Sequence, residues 1–429
     1  MNAINEKLKE REYSGNPIVI GLIGAGQMGT EIVAQIGEMA GMEVAVVVDL
    51  TEEDARQGYR FSKKQRDIVA PKNLDEAEKA WKEGKYIAAT DYRIATSLSA
   101  VEAVVDATGS TEMGGKITLD AVSQGKHVVM MSVECDVTIG PILRRMAENA
   151  GVVYTLASGD EPAAIMELYR FAEALGFQIV SVGKGKNNPL DPYATPEKVR
   201  EKAEDRDMNP RMLCEFVDGS KTMVEMAAVS NATGLVPDVR GMHGPECTVE
   251  DLNKVFVPIK DGGIFRQPGR IDYCIGVAPG VFVIVTTDNQ RMRDALVQRD
   301  MGEGPYYTLF RPYHLASIEV PLTVCRAVMY GESSGHPMMR ELTSECIAVT
   351  KKELKKGDTL DAMGEYSYRG SIELAEKAQK EGLLPLGLAN GCVLNQDIPR
   401  DTSLAYDMVS IEHQSILLEL RRIQDMLFA

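Results

Sequence analysis

The sequence predicts an α/β protein that is divided into three parts. Strand and helix patterns alternate through residues 1–160, which is typical of a parallel sheet covered by helices on both faces. The pattern becomes mixed α+β in residues 161–340, and residues 341–429 combine a β-rich internal repeat with a closing helix. We therefore expect a parallel α/β domain, a mixed α+β domain, and a small β-rich domain followed by a C-terminal helix.

The most informative motif lies where the first predicted strand ends. A buried strand, 18–23, runs into a glycine turn that opens a helix, and a second strand, 44–48, follows. Glycines in such a turn allow a tight bend, a close approach of a pyrophosphate, and close packing of helix on sheet. This order predicts a Rossmann dinucleotide-binding domain; the alternative is a glycine-rich loop in another α/β fold. The cofactor-binding residues predicted in the turn are Gly24, Gly26, Gln27, Met28 and Gly29.

Asp49 ends the second strand, 20 residues after Gly29. A carboxylate at this position can hydrogen-bond a ribose hydroxyl and would repel a 2′-phosphate, which favours NAD. Arg56 and Arg60 follow on the next predicted helix and could compensate for that repulsion, so NADP stays open.

The pattern continues with a long, charged helical insert over residues 51–85. A strand within 100–109 then ends in the small-residue turn Asp106-Ala107-Thr108-Gly109, and further strands are predicted at 126–132 and 152–156. Ligands bind at the carboxyl ends of strands in such sheets. We therefore add Thr108 and Gly109 to the predicted cofactor-binding residues.

Composition excludes several classes of partner. A net charge of −16 argues against nucleic acids and anionic membranes, and no apolar run approaches the ~20 residues that span a bilayer. The seven cysteines are scattered without a Cys-x-x-Cys pair, which is typical of reduced thiols in a cytoplasmic protein. No metal motif with diagnostic spacing is present. The apolar strands predicted near 272–287 favour a homo-oligomer.

The leading candidate for substrate chemistry is a predicted lysine loop. A strand at 177–182 runs into residues 183–191, which include Lys184 and Lys186 among glycines and asparagines. Lysine can bind an anion or polarise a carbonyl, so that it stabilises a developing alkoxide or enolate. The alternative is a solvated surface loop.

Two further residues are predicted to carry chemistry. Asp218 precedes an apolar helix near 221–231, where it could exchange a proton or bind a metal; the alternative is a helix cap. Arg311 lies in a predicted loop, 306–315, that also contains His314, and a guanidinium can bind a phosphate or carboxylate through two hydrogen bonds.

The last part of the chain contains two related segments. Residues 348–360 can be laid over residues 392–404 at an offset of 44, with valine, acidic, aliphatic, basic, hydroxyl and leucine positions in register. Two copies are too few for a solenoid and predict two similar β-turn units in one small domain. An amphipathic helix is predicted at 411–427.

These motifs together resemble the homoserine dehydrogenase-like oxidoreductases. The glycine turn, the turn at 106–109 and Gly125-Lys126-His127-Val128-Val129 carry the resemblance. That family continues from the Val-Val strand to a catalytic lysine, whereas this chain has Glu134 nearby and no lysine there. Homoserine is therefore not the expected substrate.

The chain is more similar to a branch that carries a C-terminal SAF domain, a small β-clip-like module. The segments Lys-Lys-Gly-Asp-Thr-Leu and Pro-Arg-Asp-Thr-Ser-Leu look like that module. This branch includes deoxyxylulose phosphate reductoisomerase-like enzymes of isoprenoid biosynthesis, which rearrange a ketose phosphate and reduce it with NADPH. The resemblance implies catalytic roles for Lys184, Lys186, Asp218 and Arg311, a phosphorylated substrate, and NADP, and it leaves a divalent metal open.

Two alternatives follow from the same residues. One is a simple dehydrogenase of a small hydroxy acid or aldehyde. The other is a regulatory protein that senses NAD(P) without turnover, against which the polar segments at Lys184 and Arg311 weigh.

Overall fold

The computed structural model describes residues 2–206, 208–335, 342–411 and 415–428. It confirms the predicted α/β class: a seven-stranded parallel sheet is joined to a five-stranded mixed sheet and to smaller β units. Within the described residues, every helix is too short or too polar to cross a bilayer.

The parallel sheet is formed by the first third of the chain. Its strands are β1 (Ile18–Ile23), β2 (Met42–Val48), β3 (Ile68–Val69), β4 (Tyr86–Ala89), β5 (Ala103–Asp106), β6 (His127–Met130) and β7 (Tyr154–Leu156). The helices are α1 (Asn2–Tyr13), α2 (Gln27–Glu38), α3 (Glu52–Gln57), α4 (Leu74–Lys82), α5 (Tyr92–Ser97), α6 (Thr111–Ser123) and α7 (Val133–Asn149). The strand order β3-β4-β2-β1-β5-β6-β7 places the topological switch between β1 and β5.

The prediction of a long helical insert at residues 51–85 was wrong. These residues form α3, then β3, and then α4, and β4 follows at once. Pro71 lacks an N–H and interrupts any helix, and the Asn73 side chain accepts from Glu76 N, which starts α4 anew. The short run Ile87–Ala89 is buried as a sheet strand despite its small residues.

The second sheet is formed by the middle of the chain and has the order β12-β11-β8-β10-β9. Its strands are β8 (Gln178–Lys186), β9 (Val236–Pro237), β10 (Arg270–Ile275), β11 (Val281–Thr286) and β12 (Tyr306–Arg311). The helices of this region are α8 (Glu161–Ala174), α9 (Pro196–Glu204), α10 (Pro210–Val217), α11 (Ser220–Thr233), α12 (Leu252–Val255), α13 (Gln290–Val297) and α14 (Ala316–Tyr330).

The first part of the predicted lysine loop is a strand, because β8 extends through Lys186. A Cβ at Gly183 would lie 2.4 Å from Asp272 O and from the Phe282 ring, so this glycine serves the close approach of neighbouring strands. The predicted loop 306–315 likewise begins as a strand, β12, which pairs antiparallel with β11. Its aromatic residues favour a sheet edge.

The C-terminal part interlocks its two repeats. Its elements are β13 (Ser344–Thr350), β14 (Tyr368–Leu374), α15 (Ala375–Lys380), β15 (Val393–Leu394), β16 (Val409–Ser410) and α16 (Ile416–Phe428). Leu354 and Ile398, equivalent positions of the two repeats, exchange N–H···O bonds of 2.9 Å in both directions. Two further β-bridges, Val349↔Ser403 and Thr359↔Val393, show the same symmetry. Val349 is equivalent to Val393 in the repeat, and Thr359 is equivalent to Ser403. The repeats are therefore related by a local pseudo-twofold axis at Leu354 and Ile398.

Two late helices return to the parallel sheet. Val320 and Val324 of α14 pack in the same core cluster as Ile32 of α2. Helix α16 packs against α6 and α7, and its first amides, at Ile416 and Leu417, donate to Glu112 at 3.2 Å. The predicted C-terminal helix is thus confirmed from residue 416, while residues 412–414 lie outside the described residues. The predicted boundaries 160/161 and 340/341 stay predictions, and residues 340 and 341 lie outside the described part.

We predict that Leu354→Ala destabilises the interlocked repeats. Leu354 is buried at the pseudo-twofold axis, and a leucine-to-alanine change in a core costs roughly 2–5 kcal/mol. The urea midpoint of the transition that unfolds this region should fall accordingly. The neighbouring Lys355→Ala, at an exposed position, serves as the control and should leave the midpoint almost unchanged. Equal midpoints for the two variants would contradict the interlocked core.

Candidate active site

The glycine turn has the geometry that the sequence predicted. Gly24 has φ +98°, and a Cβ there would lie 2.6 Å from Ala107 O. A Cβ at Gly29 would lie 1.9 Å from Gly24 O, so the helix can approach the turn only with glycine. No described atom lies within 4 Å of a Cβ built on Gly26, which faces the side of the turn where a pyrophosphate binds in this fold.

Asp49 is attached to the same turn. Its carboxylate accepts from Ala25 N at 2.5 Å and from Leu50 N at 2.6 Å, which fixes it beside the glycines. The two arginines considered as phosphate partners are engaged elsewhere: Arg56 donates to Glu52 and to Ile68 O, and Arg60 lies over the Phe61 ring. The turn and the carboxylate fit an NAD(P) dinucleotide.

The second predicted cofactor turn lies on the neighbouring strand. Asp106, at the end of β5, accepts from Thr108 N at 2.9 Å and from Thr108 Oγ1 at 2.7 Å, which holds the turn before Gly109. Burial raises the pKa of Asp106 to about 6. The carboxyl ends of β1, β5, β6 and β7 lie at one edge of the sheet, where the nicotinamide half of a dinucleotide lies in such folds.

A cluster of buried charges adjoins this edge, centred on Lys184. Its ammonium lies 2.6 Å from Glu161 Oε1 and also donates to Glu225. Glu161 opens α8 directly after β7, and Glu225 lies in α11. Burial favours the neutral amine, but the two carboxylates raise the pKa of Lys184 above its ordinary value.

The carboxyl groups of this cluster are driven toward opposite protonation states. Burial raises the pKa of Glu225 to about 7, and the charge of Glu161 adds to the effect. Burial opposes ionisation of Glu161 as well, but the charges of Lys184 and His314 hold its pKa below the usual range. Burial and the charge of Glu161 raise the pKa of Asp160 well above its usual value. The surroundings therefore favour ionisation of Glu161 and oppose ionisation of Glu225 and Asp160.

A second ammonium reaches the same edge from α11. Lys221 Nζ lies 3.0 Å from Glu134 Oε1, in the first turn of α7 after β6. Burial would lower the pKa of Lys221, but the charges of Glu134 and Asp160 raise it. The local sequence after β6 lacks the lysine that the resembling family carries there. The amine next to Glu134 comes instead from Lys221, in a distant segment of the chain.

His314 completes the cluster. Its Nδ1 donates to Gly159 O at 2.9 Å, which leaves Nε2 3.5 Å from Glu161 Oε1. The imidazole therefore lies against the carboxylate that also binds Lys184.

Asp160, Glu161 and Glu225 could each offer a carboxylate oxygen to a metal ion, since those atoms lie within 4.8 Å of one another. The ammonium of Lys184, however, contacts both Glu161 and Glu225. A divalent cation would have to displace this buried amine, so the arrangement does not fit a metal, and we derive no metal-dependent step.

The structure separates the four residues predicted to be catalytic. Lys184 lies in the cluster, and Lys186, two residues along β8, donates to Phe216 O at 2.5 Å. Asp218 is paired at 2.6 Å with Lys351 of the C-terminal part. Arg311 is bonded to Glu167 at 2.8 Å and to Glu319 at 2.5 Å. Asp218 and Arg311 are thus held in internal ion pairs, and their catalytic roles stay untested predictions.

The residues that sequence reasoning did not select are Glu134, Glu161, Lys221 and Glu225. Two signals could have found them. Glu161 follows a strand end at the ligand-binding edge, and Lys221 and Glu225 are four residues apart, on one face of a helix.

Two family models match consecutive parts of the chain. Residues 24–156 match the family "Homoserine dehydrogenase, NAD binding domain", and residues 159–320 match "Oxidoreductase DRL, catalytic domain". The chain is an NAD(P)-dependent oxidoreductase. The two matches favour an enzyme over a nucleotide sensor without turnover, and the boundary between them falls between β7 and α8 of the oxidoreductase. No curated protein matches the chain.

Solved structures resemble the oxidoreductase only distantly. A scyllo-inositol dehydrogenase from Lactobacillus casei, bound to NAD(H) and scyllo-inositol, is 13% identical and has a TM-score of 0.36 over 69% of this chain and 76% of its own. An NAD binding oxidoreductase from Klebsiella pneumoniae is 14% identical, with a TM-score of 0.34 over 71% of this chain and 67% of its own. Similarity at this level does not identify the substrate of this oxidoreductase.

We predict that two alanine substitutions separate cofactor binding from folding. Gly26→Ala adds a methyl group toward the pyrophosphate side at an ordinary φ of −67°, so NAD(P)H affinity should fall at least about tenfold while the urea midpoint stays unchanged. Gly29→Ala forces a methyl group onto Gly24 O and should lower the urea midpoint. Titration calorimetry with NAD(P)H checks the first variant. Unchanged affinity in Gly26→Ala would contradict the assigned site.

Proposed function

We propose that this oxidoreductase uses NADPH to rearrange and reduce a ketose phosphate, with deoxyxylulose phosphate as substrate and methylerythritol phosphate as product. The observation that carries the proposal is the pair Glu161 and Glu225, which share the ammonium of Lys184 but lie in environments that shift their pKa values in opposite directions. When the environments of two carboxyl groups push their pKa values apart, the group with the lower pKa can act as the base and the group with the higher pKa as the acid.

Rearrangement followed by reduction needs both roles. Ionised Glu161 can take the proton of a substrate hydroxyl while one carbon–carbon bond breaks and another forms, and it can return that proton to the alkoxide left at the former carbonyl, so the rearrangement is redox-neutral. Lys184 polarises the carbonyl oxygen and stabilises the negative charge that develops on it. The glycine turn and Asp49 would hold the dinucleotide, which would supply the hydride for the reduction. Protonated Glu225 can give its proton to the alkoxide that the reduction forms, so each alkoxide receives one proton.

Lys221 and Glu134 support the same centre. The ammonium of Lys221 is held by Glu134 in the first turn of α7, where it adds positive charge beside a developing oxyanion. We assign to Lys221 the electrostatic role that a lysine after this strand has in the resembling family.

The second candidate is a simple dehydrogenase of a small hydroxy acid or aldehyde. Arg311 is the predicted phosphate ligand, but its guanidinium is already bonded to two carboxylates. This pairing favours a substrate without a phosphate group. Reduction alone needs an acid but no base, so under this reading Glu161 would only hold Lys184.

We predict that the enzyme oxidises NADPH when given deoxyxylulose phosphate. With carbon-13-labelled substrate, NMR should detect a branched, rearranged carbon skeleton in the product. A reduced but unbranched product would support the simple dehydrogenase instead. Absence of NADPH oxidation at saturating substrate would contradict the specific proposal.

We predict that reductive turnover falls as pH rises through about 7, because Glu225 can donate a proton only while it is protonated. Glu225→Gln keeps a hydrogen-bond acceptor for Lys184 but cannot donate this proton, so kcat should fall roughly 10²–10⁴-fold and lose this limb of the pH profile.

The matched control is Glu215→Gln. Burial, together with the charge of Glu134, raises the pKa of Glu215 to about 8, so this carboxyl group also titrates near neutrality, but it does not contact Lys184. The Glu215→Gln variant should therefore retain the fall in turnover near pH 7. A limb that survives in Glu225→Gln, or disappears only in Glu215→Gln, would remove Glu225 from the proton transfer.

A further inference from the structure

Three cations converge beside the proposed reaction centre without a carboxylate partner. Lys186 Nζ donates to Phe216 O, while Lys202 Nζ and Arg206 Nη1 both donate to Asn188 Oδ1, at 3.1 and 3.3 Å. All of these acceptors are neutral carbonyl oxygens. Among the described residues, no ion pair involves any of the three cations.

The other cations of this region are neutralised. Lys184 has two carboxylates, Lys221 has Glu134, and Lys351 has Asp218. Arg311 has Glu167 and Glu319. The positive charge of Lys186, Lys202 and Arg206 is therefore not compensated by a neighbouring carboxylate. It is available to an anion supplied from outside the chain.

The cluster runs from the interior to the surface, with Lys186 and Asn188 buried, Lys202 half-buried and Arg206 exposed. Lys186 is 5% exposed and Asn188 is 6% exposed, so the lysine and the shared amide are fixed in the interior. Burial and the charge of Lys184, with a smaller effect of Lys202, lower the pKa of Lys186 to about 8. A bound anion would relieve this repulsion and favour the ammonium form.

We propose that Lys186, Lys202 and Arg206 bind the phosphate group of the substrate, with Asn188 orienting Lys202 and Arg206. A phosphate dianion suits such a set because it accepts several charge-assisted hydrogen bonds, including those of a guanidinium. This inference rests on the proposed function. It assigns the phosphate subsite to these three cations instead of Arg311.

The position of the cluster sets the length of the substrate. Lys184 and Lys186 lie two residues apart on β8 and therefore on the same face, about 6.6 Å apart along the strand. A carbonyl at Lys184 and a phosphate at Lys186 would be separated by a short carbon chain. This spacing suits a ketose phosphate.

A different reading assigns Lys202 and Arg206 to the C-terminal end of α9, where cations stabilise a helix by themselves. That reading predicts a change in stability and no effect on phosphate. The two readings are separated by measuring phosphate binding directly.

The test is calorimetric titration of the full-length protein with inorganic phosphate, with acetate as the monoanion comparison. Wild type should bind phosphate in preference to acetate. Lys202→Met and Arg206→Met should each weaken phosphate binding about tenfold, as expected for one lost charge-assisted contact, and the double variant should weaken it further. NAD(P)H affinity, measured on the same samples, should not change.

Lys198→Met is the matched control, since Lys198 lies on the same helix but pairs with Asp191 at 3.7 Å. Its phosphate affinity should equal that of wild type. Phosphate binding that is absent from wild type, or that is unaffected by the Lys202 and Arg206 variants, would overturn the proposal. Because no substrate is used, phosphate binding at this cluster together with failure to turn over deoxyxylulose phosphate would overturn the substrate identity alone.

Discussion

The fold of this oxidoreductase depends on neutralising buried charges where its two main sheets meet. Lys184 is 5% exposed, and its counterions Glu161 and Glu225 come from two different helices. Removing one partner of such a buried pair leaves an uncompensated charge, which costs roughly 3–5 kcal/mol. The helices α8 and α11 and the strand β8 must therefore be assembled together for any of these charges to be tolerated.

This constraint also joins the two chemical functions. Helices α7 and α8 begin at the carboxyl ends of β6 and β7, which is the edge where the dinucleotide fold places its reactive ring. Glu134 and Glu161 lie in the first turns of these helices, and the second sheet and α11 bring Lys184 and Lys221 to them. Under the proposed function, hydride transfer and proton transfer would take place at one edge of the molecule, although the residues involved are far apart in the sequence.

The sequence predicted the local features of this arrangement well and the long-range ones poorly. The glycine turn and Asp49 could be predicted because each depends on contacts within one β-α-β unit. Lys184 was selected for its glycine-rich surroundings, which serve strand packing rather than a loop. Residue type singles out Asp218 and Arg311, but Lys351 lies 133 residues from Asp218 and Glu167 lies 144 residues from Arg311, and neither partner has a local signature.

The C-terminal repeat is an instructive intermediate case. Its register of matching residues was visible in the sequence, but only the structure shows that the copies interlock about Leu354 and Ile398 rather than stack as separate units. The same part of the chain supplies Lys351, which fixes Asp218 next to α11, so the terminal β-rich region supports the packing behind the candidate site.

We propose that Lys184, Glu161 and Glu225 form the reaction centre of this oxidoreductase. The most direct measurement is a crystal structure with oxidised cofactor and a non-reacting ketose phosphate bound. We expect the substrate oxygen to lie within hydrogen-bond distance of Lys184 Nζ, and the reacting carbon to lie roughly 3–3.5 Å from the nicotinamide carbon that carries the hydride. A nicotinamide ring directed away from this cluster, with the substrate bound elsewhere, would contradict the proposal.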